Sequence, residues 1–222
     1  RQNADLFNTL LGRRKGSQEK ICMKNLLIYL NPSKSFREEG AWSEESAIDI
    51  EIQIENSERY WKKEDTILVT NFPYEYRGIK AHLIGTEYFS ATNPTTSKIN
   101  AIIALIEQGF IGDDLYWFHD LDAFQMEPID EPKLGKKQIG ITLYGRTTIN
   151  RGRDKRPSTG TIFFRKDALE ILKRLKTEYL RYESNEEVAL LELLKRHKKY
   201  VGDLVKIFDI TYNFATRRRD LK

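Results

Sequence analysis

Trp117–Ala123, WFHDLDA, decides the fold and the candidate site, because an aromatic, strand-like run ends there in two carboxylates one residue apart. At the carboxyl end of a strand, Asp120 and Asp122 of such a D-x-D motif can converge on one cation once the chain turns. Mg²⁺ and Mn²⁺ favour carboxylate oxygens as ligands, and a bound cation would neutralise a diphosphate. Two aspartates with this spacing also occur by chance, so the surrounding elements carry the interpretation.

A helix and a strand are predicted directly before the motif. Ser97–Gln108 places four isoleucines on one helical face and stops at Gly109, a residue typical of helix ends. The helix leads into the strand Leu115–His119. The D-x-D motif is therefore predicted to follow the carboxyl end of a strand.

Further apolar runs predict the rest of a sheet. Asn25–Leu30 is short, continuous and stopped by Asn31 and Pro32, as expected of a buried parallel strand. Thr66–Thr70 has the same character and ends at Asn71. The remaining predicted strands are the short segment Ala81–Ile84, then Gln138–Tyr144 and Gly160–Arg165, which are separated by the basic loop Thr147–Ser158.

The segment Ala47–Glu55 fits two structures. Its isoleucines at every second position alternate as in a strand, and they also form pairs four residues apart, as on a helix. We predict a helix, because a Ser-rich, acidic stretch precedes the segment and because a crossover is needed before the next parallel strand.

Two helices are predicted after the last strand. Ala168–Tyr182 is the first, and Glu186–His197 is the second, opened by Ser184 with Glu187 three residues later as a capping box. The alternation of strands and helices predicts an α/β fold with a mixed, mostly parallel sheet and helices on both faces.

Length and composition suit one large globular domain. The chain has 222 residues, of which 40% are hydrophobic and 32% charged, and no shift in composition divides it. Residues 1–20 are predicted to form an N-terminal helix and a charged linker, and residues 21–222 are predicted to form the domain itself.

Charge and cysteine content restrict the partners. The formal net charge of +4 is partly local, in Arg13–Lys15, Arg151–Arg156 and Arg217–Arg219, which is compatible with a polyanionic ligand but does not require a nucleic acid. A single cysteine, Cys22, excludes an internal disulfide and fits a reducing compartment, so we expect the cytoplasm. No apolar run approaches the roughly 20 residues that span a bilayer, and we expect no transmembrane segment.

Polar residues follow three of the predicted strands. They are Asn31, Asn71 and the Asp120/Asp122 pair. In open α/β sheets ligands bind beyond the carboxyl ends of the strands, so these residues are expected to face one crevice. Lys98, in the first turn of its helix, would add a cation there, and the helix start favours anions.

The chain resembles the GT-A superfamily of nucleotide-sugar glycosyltransferases in motifs that follow one another in order. From the N-terminus they are NLLIYLN, SKINAIIALIEQG, LYWFHDLDAF with its D-x-D, STGTIFFRKDALEIL, NEEVALLELL and ITYNF. The fourth looks like the strand beside the acceptor, and the fifth looks like the acidic start of a helix. The resemblance covers most of residues 24–214. It implies a Rossmann-like GT-A domain that transfers a sugar from a nucleotide-diphospho-sugar to a hydroxyl acceptor such as a glycan.

The resemblance also implies roles for individual residues. Asp122 would bind Mn²⁺ or Mg²⁺, Asp120 would contact the ribose or the metal, and Lys98 would meet the diphosphate. Glu186 or Glu187 would be the catalytic carboxylate, as a base if the sugar configuration inverts or as a stabiliser of the sugar cation if it is retained. The donor-binding candidates are Asn31, Asn71, Lys98, Asp120, Thr159 and Gly160.

The chain departs from the family pattern in its third metal ligand. Many metal-dependent members carry a histidine near the C-terminus, whereas the last histidine here is His197. The Arg217–Arg219 cluster would replace part of the metal's charge at the phosphates, or water and phosphate oxygens would complete the coordination shell.

The aromatic residues around the motif are expected to have structural roles. His119 is predicted to be a packed, hydrogen-bonded residue rather than a ligand. Trp117, Phe118 and Phe124 are predicted to lie in the core, with the edge of the sugar pocket as the alternative position for Phe124.

Three other functions are compatible with parts of the sequence. A metal-dependent nuclease would combine Asp120 or Asp122 with Glu131 and Lys133, but Pro132 argues against the strand such sites use. A sugar-phosphate nucleotidyltransferase would need a Gly-rich loop after the first strand, and NPSKSF has no glycine. A non-catalytic domain would bind a nucleotide without turnover.

Overall fold

The structure, a computed structural model, describes residues 23–31, 45–144, 156–208 and Tyr212. The predicted N-terminal helix and linker of residues 1–20 lie outside these residues, as do Arg151–Lys155 and Arg217–Arg219.

Nine strands and five α-helices form the described part of the chain. The strands are β1 (Met23–Tyr29), β2 (Thr66–Thr70), β3 (Glu75–Tyr76), β4 (Ile79–Lys80), β5 (His82–Leu83), β6 (Leu115–His119), β7 (Ile139–Leu143), β8 (Pro157–Phe164) and β9 (Val205–Phe208). The helices are α1 (Glu45–Ser57), α2 (Ser97–Glu107), α3 (Leu169–Arg181), α4 (Glu186–Arg196) and α5 (Lys198–Leu204).

Seven of the strands form one sheet in the order β5-β2-β1-β6-β8-β7-β9. Its neighbours pair in parallel except on the two sides of β8, which is antiparallel to both β6 and β7. The mixed, mostly parallel sheet predicted from the sequence is therefore confirmed. From β1 the chain first builds outward through β2 and β5, then returns to place β6 on the other side of β1. This reversal leaves a crevice at the carboxyl ends of β1 and β6, where open α/β sheets bind ligands.

Helices cover both faces of the sheet. Successive residues of a strand point to opposite faces, and Leu26 and Leu27 of β1 belong to two different apolar clusters. Leu26 shares its cluster with buried residues of α2, α3 and α4, whereas Leu27 shares the other cluster with Ile50 and Ile54 of α1. The prediction of helices on both faces is confirmed.

The ambiguous segment Ala47–Glu55 forms the middle of α1, as predicted. Ile50 and Ile54 are fully buried, while Ile52 between them is 41% exposed. A strand would have placed these three side chains on the same face, so the burial pattern is that of a helix packed on the sheet.

The predicted start of one strand and the predicted cap of one helix are wrong. The strand predicted from Gly160 begins at Pro157, because pairing with β7 continues past an irregularity in register between Ile141 and Thr142. The helix α4 is capped by Asn185, not by Ser184: the Asn185 side chain accepts a hydrogen bond of 2.9 Å from the N–H of Val188.

No helix in the described ranges is long and apolar enough to cross a bilayer.

Candidate active site

A cavity of about 340 Å³ lies at the carboxyl ends of β1 and β6. Its wall includes Leu30 after β1, Phe118 of β6, Lys98 of α2 and both aspartates of the D-x-D motif. Small-molecule sites in proteins have volumes of roughly 300–1,000 Å³. The cavity is therefore large enough for part of a nucleotide-sized ligand, and the motif borders it.

The D-x-D motif turns back toward the cavity directly after β6. The N–H of Asp120 donates to the carbonyl of Gly160 on β8 at 3.0 Å, which continues the strand pairing by one step. The N–H of Ala123 then donates to the carbonyl of Asp120 at 3.0 Å, which closes a turn. Because of this turn, Asp120 and Asp122 both line the cavity.

Lys98 lies between two carboxylates. Its Nζ contacts the Asp120 oxygens at 2.9 and 3.1 Å and Glu186 Oε1 at 3.2 Å, and it stands 5.7 Å from the ring centre of Phe118. Burial alone would lower the pKa of Lys98, but the charges of Asp120 and Glu186 outweigh it and raise the pKa above its ordinary value. The ammonium therefore stays charged, and it contacts both carboxylates in this structure.

Glu186 is a buried carboxylate with three polar partners. It is 2% exposed, and besides Lys98 it accepts hydrogen bonds from Thr95 Oγ1 at 2.7 Å and Thr159 Oγ1 at 3.0 Å. Burial raises its pKa, while the Lys98 charge and the Thr95 hydroxyl lower it, and the net shift is downward. Glu186 is therefore held as an ion.

Glu187 has a different environment, although it is the next residue of α4. The Tyr144 hydroxyl donates to its carboxylate, at 2.8 and 2.9 Å from the two oxygens, and the N–H of Thr159 donates at 3.1 Å. Burial raises the pKa of Glu187 more than these hydrogen bonds lower it. The pKa of Tyr144 is also raised, first by burial and then by the adjacent Glu187. The two carboxylates thus have opposite pKa shifts.

The strand-end asparagines contact each other rather than the aspartates. Asn71 Oδ1 accepts from the N–H of Asn31 at 2.8 Å, and Asn71 Nδ2 donates to the carbonyl of Asn31 at 2.8 Å. The side chain of Asn71 is therefore engaged with backbone. Asn31 is 1% exposed, and its side-chain oxygen and nitrogen have no hydrogen-bond partner in the part of the chain that the structure describes.

Thr159 and Gly160 lie inside β8, in contact with the acidic residues but not in the cavity wall. Thr159 binds Glu186 with its hydroxyl and Glu187 with its N–H, while Gly160 accepts the bond from Asp120. Thr159 therefore orders the two glutamate carboxylates, and Gly160 pairs with the backbone of Asp120.

His119 is a packed, hydrogen-bonded residue, as predicted. Its Nε2 lies 3.1 Å from Asn25 Oδ1, its Nδ1 lies 3.2 Å from the carbonyl of Asp120, and burial lowers its pKa to about 4. The ring is thus neutral at physiological pH. Trp117 and Phe118 are buried as predicted, but the prediction of a core position for Phe124 is wrong, because this residue is 53% exposed.

The carboxylate oxygens at the cavity fit a divalent cation whose remaining ligands are phosphate oxygens and water. Asp120 and Asp122 supply carboxylate oxygens, and no group of three or more His, Cys, Asp or Glu able to hold a metal exists among the described residues. Mg²⁺ is often held by one or two carboxylates together with phosphate oxygens and water. Lys98 does not exhaust Asp120, because a carboxylate has about four acceptor positions.

Two residues of the site carry no local signal in the sequence. Tyr144 binds Glu187 from 43 positions away, and Thr95 binds Glu186 from 91 positions away. Only the fold brings them together. By contrast, Glu131 and Lys133 of the nuclease alternative are exposed in an irregular segment and do not line the cavity.

No known protein-family profile matches the chain, and no curated protein matches it. Among solved structures, it is similar to a glycosyltransferase involved in the glycosylation of the major capsid of PBCV-1, with 14% identity and a TM-score of 0.52 over 85% of this chain and 82% of that one. It is also similar to the glycosyltransferase GlyE of Streptococcus pneumoniae TIGR4, with 13% identity and a TM-score of 0.51. The match covers 86% of this chain and 47% of that one, so the chain spans about half the length of GlyE. Identities this low show a shared fold, and the predicted GT-A fold is confirmed.

Proposed function

We propose that this protein transfers a sugar from a nucleotide-diphospho-sugar to a hydroxyl acceptor and requires a divalent cation. The observation that carries the proposal is the position of Asp120 and Asp122 in the wall of a cavity at the crossover of a glycosyltransferase-like fold. Fold alone does not determine function, so the chemistry of this site has to support the proposal.

The charge balance of the site supports a cation. Within the part of the chain that the structure describes, Asp120 and Glu186 contact the ammonium of Lys98, and Asp122 lines the same cavity. A diphosphate approaching these carboxylates would meet net negative charge at short range, where salt screens little. Mn²⁺ or Mg²⁺ held by Asp120 and Asp122 would supply the positive charge that stabilises the leaving diphosphate.

Lys98 has two roles in the proposal. It holds Asp120 in a fixed position, and it keeps a positive charge next to the place where the diphosphate leaves. Preorganised charges of this kind stabilise developing negative charge without reorganisation during the reaction.

Asn31 is proposed to recognise the donor. An amide carries both donors and acceptors, and leaving a buried amide unpaired costs free energy. The Asn31 side chain has no partner within the described residues and follows β1 at the crossover. Asn31 directly follows Leu30 of the cavity wall without lining the cavity itself, and a ligand with a polar edge at this end, such as a nucleobase, would satisfy it.

Glu187 is the better candidate for the acceptor-activating base. Glu186 is engaged by Lys98 and two threonines and has a lowered pKa, which makes it a weak base. Glu187 has a raised pKa and is oriented by Tyr144. A base is most effective when its pKa approaches the working pH. If the sugar configuration is retained, the same carboxylate would stabilise the sugar cation instead.

The proposal is tested with a panel of nucleotide-sugars and Mn²⁺, in which one donor should be hydrolysed slowly or transferred to an added glycan. Asp122→Asn should abolish turnover, because it removes a carboxylate ligand. Asp113→Asn is the matched control, since Asp113 is an exposed aspartate paired with Lys166. Absence of turnover and of binding with every donor would contradict the proposal.

A further inference from the structure

The loop that carries Asp122 is hydrogen-bonded to side chains of α1 and of the residues that follow it. Residues 121–126, here called the D-x-D loop, have no pairing within the sheet, yet four of their backbone carbonyls accept hydrogen bonds from side chains of residues 53–60. These side chains come from the last turns of α1 and the residues after it. Backbone in loops is usually solvated, so this degree of fixation is unusual for a surface segment.

Gln53 binds the backbone on both sides of Asp122. Its Nε2 donates to the carbonyl of Leu121 at 2.5 Å and to the carbonyl of Ala123 at 3.0 Å. One amide group thus holds the backbone carbonyls of the residues on either side of the aspartate. With both carbonyls held, the direction in which the Asp122 carboxylate leaves the backbone is restricted.

Asn56, one helical turn after Gln53, holds the next part of the loop. Its Nδ2 donates to the carbonyl of Gln125 at 3.0 Å, and its Oδ1 accepts from the N–H of the same residue at 3.0 Å. The Tyr60 hydroxyl adds a bond of 2.7 Å to the carbonyl of Met126. The loop is therefore anchored along its whole length.

The burial of Gln53 needs a reason beyond packing. The side chain is fully buried beside the apolar cluster of Ile50 and Ile54, and its Oε1 has no partner among the residues that the structure describes. A buried amide with an unsatisfied oxygen is less favourable than an apolar side chain of the same shape. The two bonds to the D-x-D loop are what the amide provides and an apolar residue would not.

We propose that Gln53 is a positioning residue for the cation site: it orders the backbone around Asp122 so that the carboxylate faces the cavity. The proposal rests on the proposed function, because it assigns the cation to Asp122. Residues that orient metal ligands commonly change metal affinity by about 10- to 100-fold when replaced.

The test replaces Gln53 by methionine, which matches its length but has no donor. Mn²⁺ binding is titrated by electron paramagnetic resonance on the purified chain in the presence of UDP, and amide hydrogen exchange is measured over residues 121–126. We expect at least about tenfold weaker Mn²⁺ binding and faster exchange in the D-x-D loop, with exchange in β1 and β6 unchanged. Glu55→Ala is the matched control, since Glu55 is on the same helix and pairs with Arg77 at the surface.

A second variant, Gln53→Asn, keeps the amide but shortens its reach, and it replaces the first if Gln53→Met does not fold. Wild-type Mn²⁺ affinity and unchanged loop exchange in the folded variant would overturn the positioning role. If the wild-type chain binds no Mn²⁺ with UDP or with any other nucleoside diphosphate of the donor panel, the proposed function fails, and the exchange measurement alone decides whether Gln53 orders the loop.

Discussion

Two adjacent glutamates of the site differ because of what each one touches. Glu186 and Glu187 are consecutive on α4, and consecutive helix residues point about 100° apart. One side chain therefore meets the ammonium of Lys98, and the other meets the Tyr144 hydroxyl. The pKa of Glu186 is lowered and that of Glu187 is raised. Environments that separate the pKa values of neighbouring carboxylates commonly separate their roles.

Removal of the Tyr144 hydroxyl should shift the pH dependence of the reaction. The hydroxyl stabilises the charged form of Glu187, so Tyr144→Phe raises the pKa of this glutamate further. A base works only when deprotonated, and the acidic limb of the kcat/KM profile should therefore move to higher pH. The measurement is donor turnover between about pH 5 and 9.

Glu187→Gln provides the second variant. It should lower kcat by about 10²- to 10⁴-fold above the pKa of the base and by less below that pKa, where the wild-type base is itself protonated, and it should leave donor binding nearly unchanged. An acidic limb that stays in place in Tyr144→Phe, or moves to lower pH, would exclude Glu187 as the titrating base.

At the level of elements, the start of α4 determines where both glutamates point. The first turn of a helix has free N–H groups, and Asn185 binds one of them. The same turn places its acidic residues at the positive end of the helix dipole, which favours their ionised forms. Helix α1 has a comparable effect on the other side of the sheet, where its polar residues hold the D-x-D loop.

Loss of the cap should destabilise the protein measurably. Asn185→Ala removes the bond to Val188 and should lower the free energy of unfolding by about 1 kcal/mol. The measurement is the denaturation midpoint in urea, with the slope unchanged. Ser184→Ala is the control, because the Ser184 hydroxyl has no hydrogen-bond partner in the described ranges. A larger loss of stability in Ser184→Ala than in Asn185→Ala would show that Ser184 caps the helix, as the sequence predicted.

At the scale of the whole molecule, the crossover between β1 and β6 produces the site. β1 and β6 are parallel neighbours, and the segments that follow them lead to opposite sides of the sheet. A gap therefore remains between these segments at the carboxyl ends of the two strands. The cavity occupies this gap, and its charged residues come from the segment after β6 and from α2. Ligands that bind only the folded chain at this gap should stabilise the entire domain.

Nucleotide and cation should stabilise the fold only together. With Mn²⁺ present, UDP at about 100 times its dissociation constant should add about 2.7 kcal/mol to the free energy of unfolding. With a chelator present the same nucleotide should have little effect, because the carboxylates of the site repel it. Thermal unfolding of the wild type under the four combinations of UDP and Mn²⁺ measures this coupling. An equal shift by UDP in chelator would remove the cation from the proposal.

The sequence by itself determined most of the elements. The strands Thr66–Thr70 and Leu115–His119 have the predicted bounds, and the helix within Ala47–Glu55 was assigned correctly. These predictions succeed because hydrophobic periodicity reflects local backbone geometry, which each segment carries in its own residues. The position of Asp120 and Asp122 after a strand follows from the same local pattern.

The tertiary structure alone decided which side chains meet. The pairing of Lys98 with two carboxylates, the contact of Tyr144 with Glu187 and the support of Asp122 by Gln53 join residues from distant parts of the chain. Gln53 in particular carries no sign of its role in a helix dominated by isoleucines. Such contacts depend on how elements pack against one another, and no local period records that packing.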